Sequence, residues 1–405
     1  MMRSPGSMPL SLILIALAGD ARAVPTLSAE VLLPDHGQRD AYCPAVARGA
    51  KRYLVVWQAG RATRGDIVAC PVDLAGKPEG GAPVLVSGAA DDQEAPEVAF
   101  GQSTFLVVWQ DLRGGKDYDV YGARLDEGGK LLDPQGVLIS GGAGNQSSPR
   151  VAFDGTTFVV VWEDYRSGQR YDIYGARVAL DGKVLDPAGI KLAGSDKAGR
   201  HRVAPALARS KGGGVLVEWN GHLVNGVGQL AGGLLLAGGA ITKTFVIDGK
   251  TGETPGDRHT PVRAAGSSSG YVLVWRNYVP VGRVDPSGNP NLLQLDPAGS
   301  VTSRSVVGST GIVDPDVTWD GSASLVAWHE QRGKGDTKQH TGPSDAVYLQ
   351  RLASGATEIS VAGTFASPAR RARLASGGDG ETLVVYERHP EQATTPIRIG
   401  VRLAH

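Results

Sequence analysis

The sequence repeats itself about once every fifty residues, and this repeat restricts the possible folds more than any other feature. An aromatic residue ends an aliphatic run in each of seven units, at Trp57, Trp109, Trp162, Trp219, Trp275, Trp328 and Tyr386. A proline precedes each run, at Pro44, Pro96, Pro149, Pro205, Pro261, Pro315 and Pro368. Successive aromatic residues are 52 to 58 residues apart, and successive prolines are 52 to 56 residues apart. Because the two markers agree, the sequence indicates seven units.

Each unit has the pattern of four short strands separated by turns rich in Gly, Asp and Ser. The first strand is expected to follow the proline, which can open a strand but disrupts its interior. The second strand is the aliphatic run, and a continuous apolar run indicates burial on both faces. Sheets of this kind cover one another by stacking around an axis. The sequence therefore predicts an all-β fold, a seven-bladed β-propeller with four-stranded antiparallel blades and with the aromatic residues buried between blades.

The two ends of the chain complement each other. The last unit ends without a fourth strand, while an unused apolar segment, residues 29–33, precedes the first unit. We predict that this N-terminal strand completes the last blade and closes the ring without an exposed edge. Residues 24–405 would then form one propeller domain, which we expect to be a monomer.

Residues 1–23 have the features of a signal peptide. Arg3 is the only charge before an apolar stretch, and residues 21–23 (Ala-Arg-Ala) have the small residues of a cleavage site. The stretch is too short to span a membrane, and no other segment is long enough. We therefore expect cleavage between Ala23 and Val24, no membrane span, and a secreted, periplasmic or cell-surface location.

The composition argues against several classes of partner. The chain has 41 Lys and Arg residues and 41 Asp and Glu residues, so its formal charge offers no general field for a nucleic acid. The histidines lack the spacings typical of metal sites, and we expect neither a metal nor a cofactor. Cys43 and Cys70 fall on strands that a third strand should separate, which favours two free thiols over a disulfide.

Two of the units resemble the TolB-type propeller repeat, a relative of the WD-type repeats. That repeat has a proline, an Asp–Gly turn, an aliphatic strand, then Asp-x-Arg-x-Gly and Asp–Ile–Tyr. The third unit matches this pattern with Pro149, residues 154–155 (DG), residues 159–162 (VVVW), residues 164–168 (DYRSG) and residues 172–174 (DIY). The second unit matches it with residues 111–115 (DLRGG) and residues 119–121 (DVY). The resemblance implies a propeller in an exported compartment. The units here are longer, and the N-terminal domain of TolB is absent, so the resemblance implies no activity or partner.

Acidic and basic residues crowd the hairpin that follows the second strand in the same two units. The residues are Asp111, Arg113, Asp117 and Asp119 in one hairpin and Asp164, Arg166 and Asp172 in the next. Several carboxylates could hold a calcium ion. An arginine within each cluster already supplies the opposite charge, and the clusters recur at equivalent places. We therefore interpret them as salt bridges of the framework.

Other charged residues differ from unit to unit and fall in the links predicted to surround one mouth of the channel. Binding sites tend to be built from variable loops on a rigid scaffold. We predict a binding face for a protein, peptide or glycan, the alternative being an ordinary solvated rim. The candidate contacts are Asp91, Asp92, Glu94, Arg200, His201, Arg202, Asp257, Arg258, His259, His329, Glu330, Arg332, Glu387, Arg388 and His389.

Hydrolysis of glycans is the main alternative to this non-catalytic interpretation. It requires two carboxyl groups about 5–10 Å apart across a cleft. The acidic residues near the predicted channel mouth are Asp91, Glu94, Glu97, Asp314 and Asp316. Their spacing selects no pair. A third possibility is a purely structural component of an envelope or extracellular matrix.

Overall fold

The structure is a computed structural model of the 405-residue chain. It describes residues 24–60, 64–194, 201–211, 214–222, 228–237, 240–245, 258–259, 262–275, 277–278, 291–307, 312–331, 345–352, 358–363, 367–392 and 394–405. The predicted signal peptide, residues 1–23, lies outside the described residues.

A short N-terminal strand is followed along the chain by four four-stranded sheets. That strand is β1 (Val31–Leu32). Sheet 1 contains β2 (Ala41–Arg48), β3 (Arg52–Ala59), β4 (Asp66–Asp73) and β5 (Val84–Ser87). Sheet 2 contains β6 (Gln93–Gly101), β7 (Thr104–Asp111), β8 (Asp119–Asp126) and β9 (Val137–Ser140). Sheet 3 contains β10 (Gln146–Phe153), β11 (Phe158–Asp164), β12 (Asp172–Val178) and β13 (Ile190–Ala193). Sheet 4 contains β14 (His201–Arg209), β15 (Val215–His222), β16 (Gly228–Ala237) and β17 (Ala240–Phe245).

The second half continues the same pattern. A separate two-stranded sheet pairs β18 (Arg258–His259) with β21 (Asn277–Tyr278). Sheet 5 contains β19 (Arg263–Ser267), β20 (Gly270–Trp275), β22 (Asn291–Leu295) and β23 (Val301–Val306). Sheet 6 contains β24 (Ile312–Trp319), β25 (Ser324–Gln331), β26 (Asp345–Arg351) and β27 (Glu358–Ala362). Sheet 7 contains β28 (Ala369–Ser376), β29 (Thr382–Arg388), β30 (Arg398–Ala404) and, beside β30, the N-terminal β1.

All strand pairs within the seven sheets are antiparallel, and the sheets are packed through their first strands. β2 contacts β6, β6 contacts β10, β10 contacts β14, β14 contacts β19, β19 contacts β24, β24 contacts β28, and β28 contacts β2. The prediction of an all-β propeller with four-stranded antiparallel blades is therefore confirmed. β1 pairs with β30, so that Val31 lies opposite Val401.

The core lies between neighbouring sheets. Leu54 and Val56 of sheet 1 pack with Val107 and Trp109 of sheet 2, while Trp57 faces sheet 7. The alternation follows from the period of two in a strand, which sends successive side chains to opposite faces. The aromatic residue of every sheet is buried, as predicted, with an exposed fraction of 8% or less.

The repeated prolines occupy a different place from the one predicted. Pro44, Pro96, Pro149, Pro205 and Pro315 lie inside the first strands, not at their beginnings. Each follows a residue with a positive φ, and the strand register shifts there, as at Cys43 (φ 51°) and Ala95 (φ 51°). A β-bulge leaves one residue out of the hydrogen-bond ladder, so it tolerates proline, which has no N–H. The expectation that proline opens the strand was therefore wrong at these five positions, whereas Pro368 stands directly before β28, as predicted.

The bulge also links neighbouring sheets. In three places the backbone N–H before the proline donates to the side chain that follows the aromatic residue of the preceding sheet. Ser148 N donates to Gln110 Oε1 (3.0 Å), Ala204 N to Glu163 Oε1 (2.7 Å) and Cys43 N to Glu387 Oε1 (2.9 Å). The last of these bonds joins sheet 7 to sheet 1.

Candidate functional site

One residue of each first strand lies opposite the residue that precedes the buried aromatic side chain. These seven equivalent residues are Ala45, Glu97, Arg150, Ala206, Arg263, Asp316 and Arg373. All seven line a single cavity of about 130 Å³ between the first strands. Five of the seven have ionisable side chains, so the cavity is a polar site between the first strands.

Glu97 is at the centre of the charged network in the cavity. Its Oε1 accepts a hydrogen bond from Arg150 Nη1 (2.6 Å) and another from Arg263 Nη1 (2.9 Å). All three side chains are more than four-fifths buried. Arg150 belongs to the neighbouring sheet 3, whereas Arg263 belongs to sheet 5. The carboxylate of Glu97 therefore links sheets that are not adjacent.

A second group of charges lies between sheets 6 and 7. Arg373 Nη2 is 3.2 Å from Asp314 Oδ2, and Asp314 occupies the positive-φ position of the bulge in β24. Asp316, two residues further along, accepts a hydrogen bond from the backbone N–H of Leu374 (2.8 Å). Asp316 has no ion pair within the described residues, in contrast to Asp314.

The environment moves the pKa values of these carboxyl groups in opposite directions. Burial raises the pKa of Glu97, but the guanidinium groups of Arg150 and Arg263 outweigh burial and leave it lowered. Burial acts in the same way on Asp314, and Arg373 and Arg263 outweigh it, so its pKa is also lowered. For Asp316 burial prevails, and its pKa is raised. The cavity is thus lined by one carboxyl group with a raised pKa, that of Asp316, and one with a lowered pKa, that of Glu97.

The arginines carry more donors than the cavity satisfies. The Nε atoms of Arg150 and Arg263 are buried and have no hydrogen-bond partner among the described residues. Burial lowers the pKa of Arg150 to about 10, so it stays charged at neutral pH. A buried donor without an acceptor costs free energy, and an anion in the cavity would supply that acceptor.

The predicted candidates in sheet 2 bond to the framework. Asp91 is exposed, and Asp92 accepts a hydrogen bond from the backbone N–H of Gly65 (3.0 Å). Glu94 lies within β6, not in a link, and accepts from Tyr118 Oη (3.2 Å) and from a glutamine side chain of β7 (3.1 Å).

The candidates of sheets 4 and 5 are described in part. His201 and Arg202 begin β14, and His201 Nδ1 accepts from the backbone N–H of Tyr171 (3.1 Å). Arg258 and His259 form the short strand β18. Three further candidates lie outside the described residues, namely Arg200, Asp257 and Arg332.

The remaining candidates lie at the ends of second strands and not in links. His329 and Glu330 belong to β25, and Glu387 and Arg388 to β29, with His389 directly after it. The links are shorter than expected because the first and second strands continue to pair beyond the bulge. None of the described candidates lines the cavity, so their role as ligand contacts stays a prediction.

Some acidic residues in and beside the cavity could be identified from the sequence. Glu97, Asp314 and Asp316 were named for the hydrolase alternative, but the three arginines were missed. The signal that could have found Arg150 is a charged residue directly after the repeat proline, as in Pro96–Glu97 and Pro149–Arg150. Arg263 and Arg373 escape this signal because the prolines of their units stand out of register, two and five residues earlier.

The hairpin clusters have the framework role that was predicted. Asp111 accepts from Trp109 Nε1 (2.7 Å) and forms a two-pronged ion pair with Arg113, whose guanidinium lies 3.9 Å from the ring centroid of Tyr121. Asp164, Trp162 and Arg166 repeat the arrangement in sheet 3. Within the described residues, no group of three or more His, Cys, Asp and Glu side chains is placed to hold a metal ion.

The two cysteines are free, in line with the interpretation that the sequence favoured. Cys43 lies in β2 and Cys70 in β4, with β3 between them. The described part of the chain contains no helix with the length and apolar character of a membrane span.

Comparison with known proteins yields structural likeness alone. No protein-family model matches the chain, and no curated protein sequence matches it. A protein of unknown function from Dyadobacter fermentans has a TM-score of 0.48 at 12% identity, covering 94% of this chain and 99% of that one. The α-L-arabinanase of Penicillium chrysogenum, complexed with arabinobiose, has a TM-score of 0.44 at 9% identity, covering 93% and 98%. The GH93 α-L-arabinofuranosidase of Fusarium graminearum has a TM-score of 0.45 at 10% identity, covering 93% and 97%. The resemblance to TolB-type repeats stays a prediction.

Proposed function

We propose that the seven sheets form one closed ring and that residues 24–405 are a single propeller domain. The contacts between first strands support this, since they run from each sheet to the next and from β28 to β2. A variant that lacks residues 24–35 would lose β1 and expose the edge of β30. We expect a lower melting temperature and self-association in light scattering. An unchanged melting temperature would contradict the proposal.

We propose that the protein is a glycan hydrolase that acts in this cavity. The observation that supports it is the pairing, in one cavity, of Asp316, whose pKa is raised, with Glu97, whose pKa is lowered. Glycoside hydrolysis needs one protonated carboxyl group to protonate the leaving oxygen, and one ionised carboxylate to act as base or nucleophile. Opposite pKa shifts in neighbouring carboxyl groups are the usual basis of this division of labour.

The residues then take distinct roles. Asp316 donates a proton to the oxygen of the leaving sugar, and the hydrogen bond from Leu374 N fixes its carboxyl group in place. Glu97 is the ionised partner. Three guanidinium groups balance the negative charge of the site and orient the substrate, those of Arg150, Arg263 and Arg373. A cavity of about 130 Å³ accommodates the reacting group, while the rest of a glycan would lie in the channel mouth.

The experiment compares the mature protein with two variants on a panel of chromogenic glycosides and polysaccharides. We expect Asp316→Asn to reduce kcat by about 10²–10⁴-fold, the usual range for removal of a general acid. The loss should be smaller on substrates with a good leaving group, which need no proton. Glu97→Gln should reduce turnover on all substrates. Asp186→Asn, which alters an ion pair with Arg177 far from the cavity lining, is the matched control. A folded protein without turnover on the whole panel would contradict the proposal.

Non-catalytic binding of a glycan, peptide or protein is the second candidate function. The observation that favours it is the engagement of Glu97 by two arginines, which makes this carboxylate a weak nucleophile as it stands. Under this alternative the glycan would bind to an array without cleavage, and Asp316→Asn would bind as well as the wild type. Faster cleavage than buffer alone would contradict it.

We also propose that the protein is exported after cleavage before Val24, on the basis of the apolar stretch and the small residues at 21–23. Mass spectrometry of the protein from its host is the test. An N-terminus at Val24 is expected, and an intact Met1 in the cytoplasm would contradict the proposal.

A further inference from the structure

The place that Glu97 occupies in the cavity resembles that of a bound anion. A single oxygen, Oε1, accepts hydrogen bonds from guanidinium groups of two separate sheets, those of Arg150 and Arg263. The two guanidinium groups are like charges that line the same cavity, and the anion between them reduces their repulsion. Glu97 is that anion in the present structure.

Glu97 leaves part of the binding capacity of the arginines unused. A guanidinium has five N–H donors in a planar fork, which suits the two oxygens of a carboxylate. Arg150 and Arg263 each give one hydrogen bond to Glu97, while their buried Nε atoms have no acceptor. A carboxylate that approached from the channel could accept from Nε and a terminal nitrogen of one arginine together.

The lining of the cavity contains more guanidinium groups than carboxyl groups. Three guanidinium groups face two carboxyl groups in the cavity, those of Glu97 and Asp316. Arg373 is held by Asp314 at the edge of the site. Arg150 and Arg263 share the single carboxylate of Glu97, so a ligand carboxylate between them would supply a second negative charge to these two cations.

We propose that the cavity binds the carboxylate of an acidic sugar between Arg150 and Arg263, and that this carboxylate displaces Glu97 from them. The inference rests on the proposed glycan-directed function of the same cavity. Glu97, released from Arg263, becomes an unpaired carboxylate next to the substrate. An acidic sugar thereby activates the base in its own reaction, whereas a neutral sugar leaves Glu97 locked in its ion pairs.

The test measures binding in the Asp316→Asn background, where turnover is blocked. Isothermal titration with glucuronate, glucose and sulfate separates the carboxylated sugar, the neutral sugar and a free inorganic anion. We expect glucuronate to bind at least tenfold more tightly than either of the others. Arg263→Gln should weaken glucuronate binding about 10–100-fold, the equivalent of one or two charge-assisted hydrogen bonds. Glu97→Gln should strengthen it, because the internal competitor loses its charge.

Several outcomes would overturn the inference. They are equal affinity for glucuronate and glucose, affinity for sulfate equal to that for glucuronate, or weaker glucuronate binding in Glu97→Gln. If Arg263→Gln fails to fold, Arg263→Lys keeps the charge without the fork and should still lose most of the affinity. Arg177→Gln, which alters an outer ion pair, is the control and should bind normally.

Different results would contradict the carboxylate site and the hydrolase activity. Glucuronate binding without any hydrolysis would remove the hydrolase proposal and leave the carboxylate site. Hydrolysis of neutral glycans, with no preference for acidic ones, would remove the carboxylate site and leave the hydrolase.

Discussion

Glu97 Oε1 and Arg263 Nη1 are 2.9 Å apart, although 166 residues separate them in the sequence. The contact reaches from sheet 2 to sheet 5 across the cavity, so it stabilises the arrangement of whole sheets and not only of one hairpin. Removing one partner of a mostly buried ion pair leaves the other charge without compensation.

We therefore expect Glu97→Gln to lower the free energy of unfolding by about 1–3 kcal/mol at pH 7. The pKa of Glu97 is lowered in the folded state, so its contribution is present above about pH 4.3, its unfolded value, and is lost as the pH falls. The difference between wild type and variant in urea denaturation should shrink towards pH 3. A difference that does not change with pH would mean that the Glu97 ion pairs contribute no stability.

Glu218 is a buried acid at a position where the other sheets have an apolar residue. The equivalent residues are Val56, Val108, Val161, Val274, Ala327 and Val385. Glu218 is fully buried, and neither carboxyl oxygen has a hydrogen-bond partner. We expect Glu218→Val to raise the free energy of unfolding by about 1–3 kcal/mol. Val108→Ala, at the same place in sheet 2, is the control and should lower it. A destabilised Glu218→Val protein would indicate that the acid has a partner or a role.

The same residue gives a pH dependence of opposite sign to that of Glu97. Burial raises the pKa of Glu218 well above its usual range. A group with a raised pKa in the folded state makes its full contribution to the free energy of unfolding below about pH 4.3, its pKa in the unfolded state. This contribution is lost as the pH rises through the folded-state pKa. The advantage of Glu218→Val over wild type should therefore grow from pH 4 to pH 7 in urea denaturation. An advantage that is constant over this range would show that Glu218 is ionised in the folded protein.

The hydrogen bond from Cys43 N to Glu387 can be tested against its neutral equivalent, the bond from Ser148 N to Gln110. We expect Glu387→Leu to lower the free energy of unfolding by about 1.5–3 kcal/mol, because the acceptor is charged. We expect Gln110→Leu, which removes a neutral acceptor, to lower it by about 0.5–1.5 kcal/mol. Burial raises the pKa of Glu387, but the imidazole of His389, whose Nε2 is 3.5 Å from Glu387 Oε2, and the charge of Arg371 outweigh burial and leave it lowered.

The lowered pKa means that the contribution of Glu387 is present above about pH 4.3 and is lost as the pH falls. Only Glu387→Leu should flatten the acid limb of the stability curve, while Gln110→Leu should keep it. Equal acid limbs in both variants would contradict an ionised Glu387 between sheets 7 and 1.

Substitutions of Asp111 test whether the hairpin clusters stabilise the framework of the fold. Asp111→Ala removes the acceptor of Trp109 Nε1 and the partner of Arg113, and we expect a loss of about 1–3 kcal/mol in the free energy of unfolding. Asp111→Asn should cost less, because the amide oxygen can still accept from the indole. A chelator should leave the melting temperature unchanged. A melting temperature that falls with chelator and recovers with calcium would show that the cluster binds a metal.

The fold could be predicted from the sequence because its signals repeat. The aliphatic run that ends at a residue such as Trp109 appears in every unit, and each copy has the same physical cause, burial between two sheets. The position of Pro96 could not be predicted in the same way. A proline in a β-strand is tolerated either at the beginning or at a bulge, and the bulge depends on the positive φ of Ala95, which has no signature in its side chain.

The cavity could be predicted only in part, since it depends on register. Glu97 and Asp316 stand directly after a proline and were noticed as acids near the axis. Arg263 faces the same cavity because it lies opposite Val274, and strand pairing of this kind is visible only once the sheet is built. Variable charged residues such as Glu387 looked like ligand contacts, but strand pairing and hydrogen bonds to the next sheet account for their positions.

The pairing of Val31 with Val401 sets the order in which the protein can be assembled. Val31 is synthesised before the strands of sheets 1 to 6 and Val401 after them, so sheet 7 stays incomplete until those sheets have been made. Sheets 1 to 6 can each form as their own strands emerge from the ribosome, but β1 stays unpaired until β30 has been synthesised. A chain released before β30 has been synthesised would contain β1 without its partner strand.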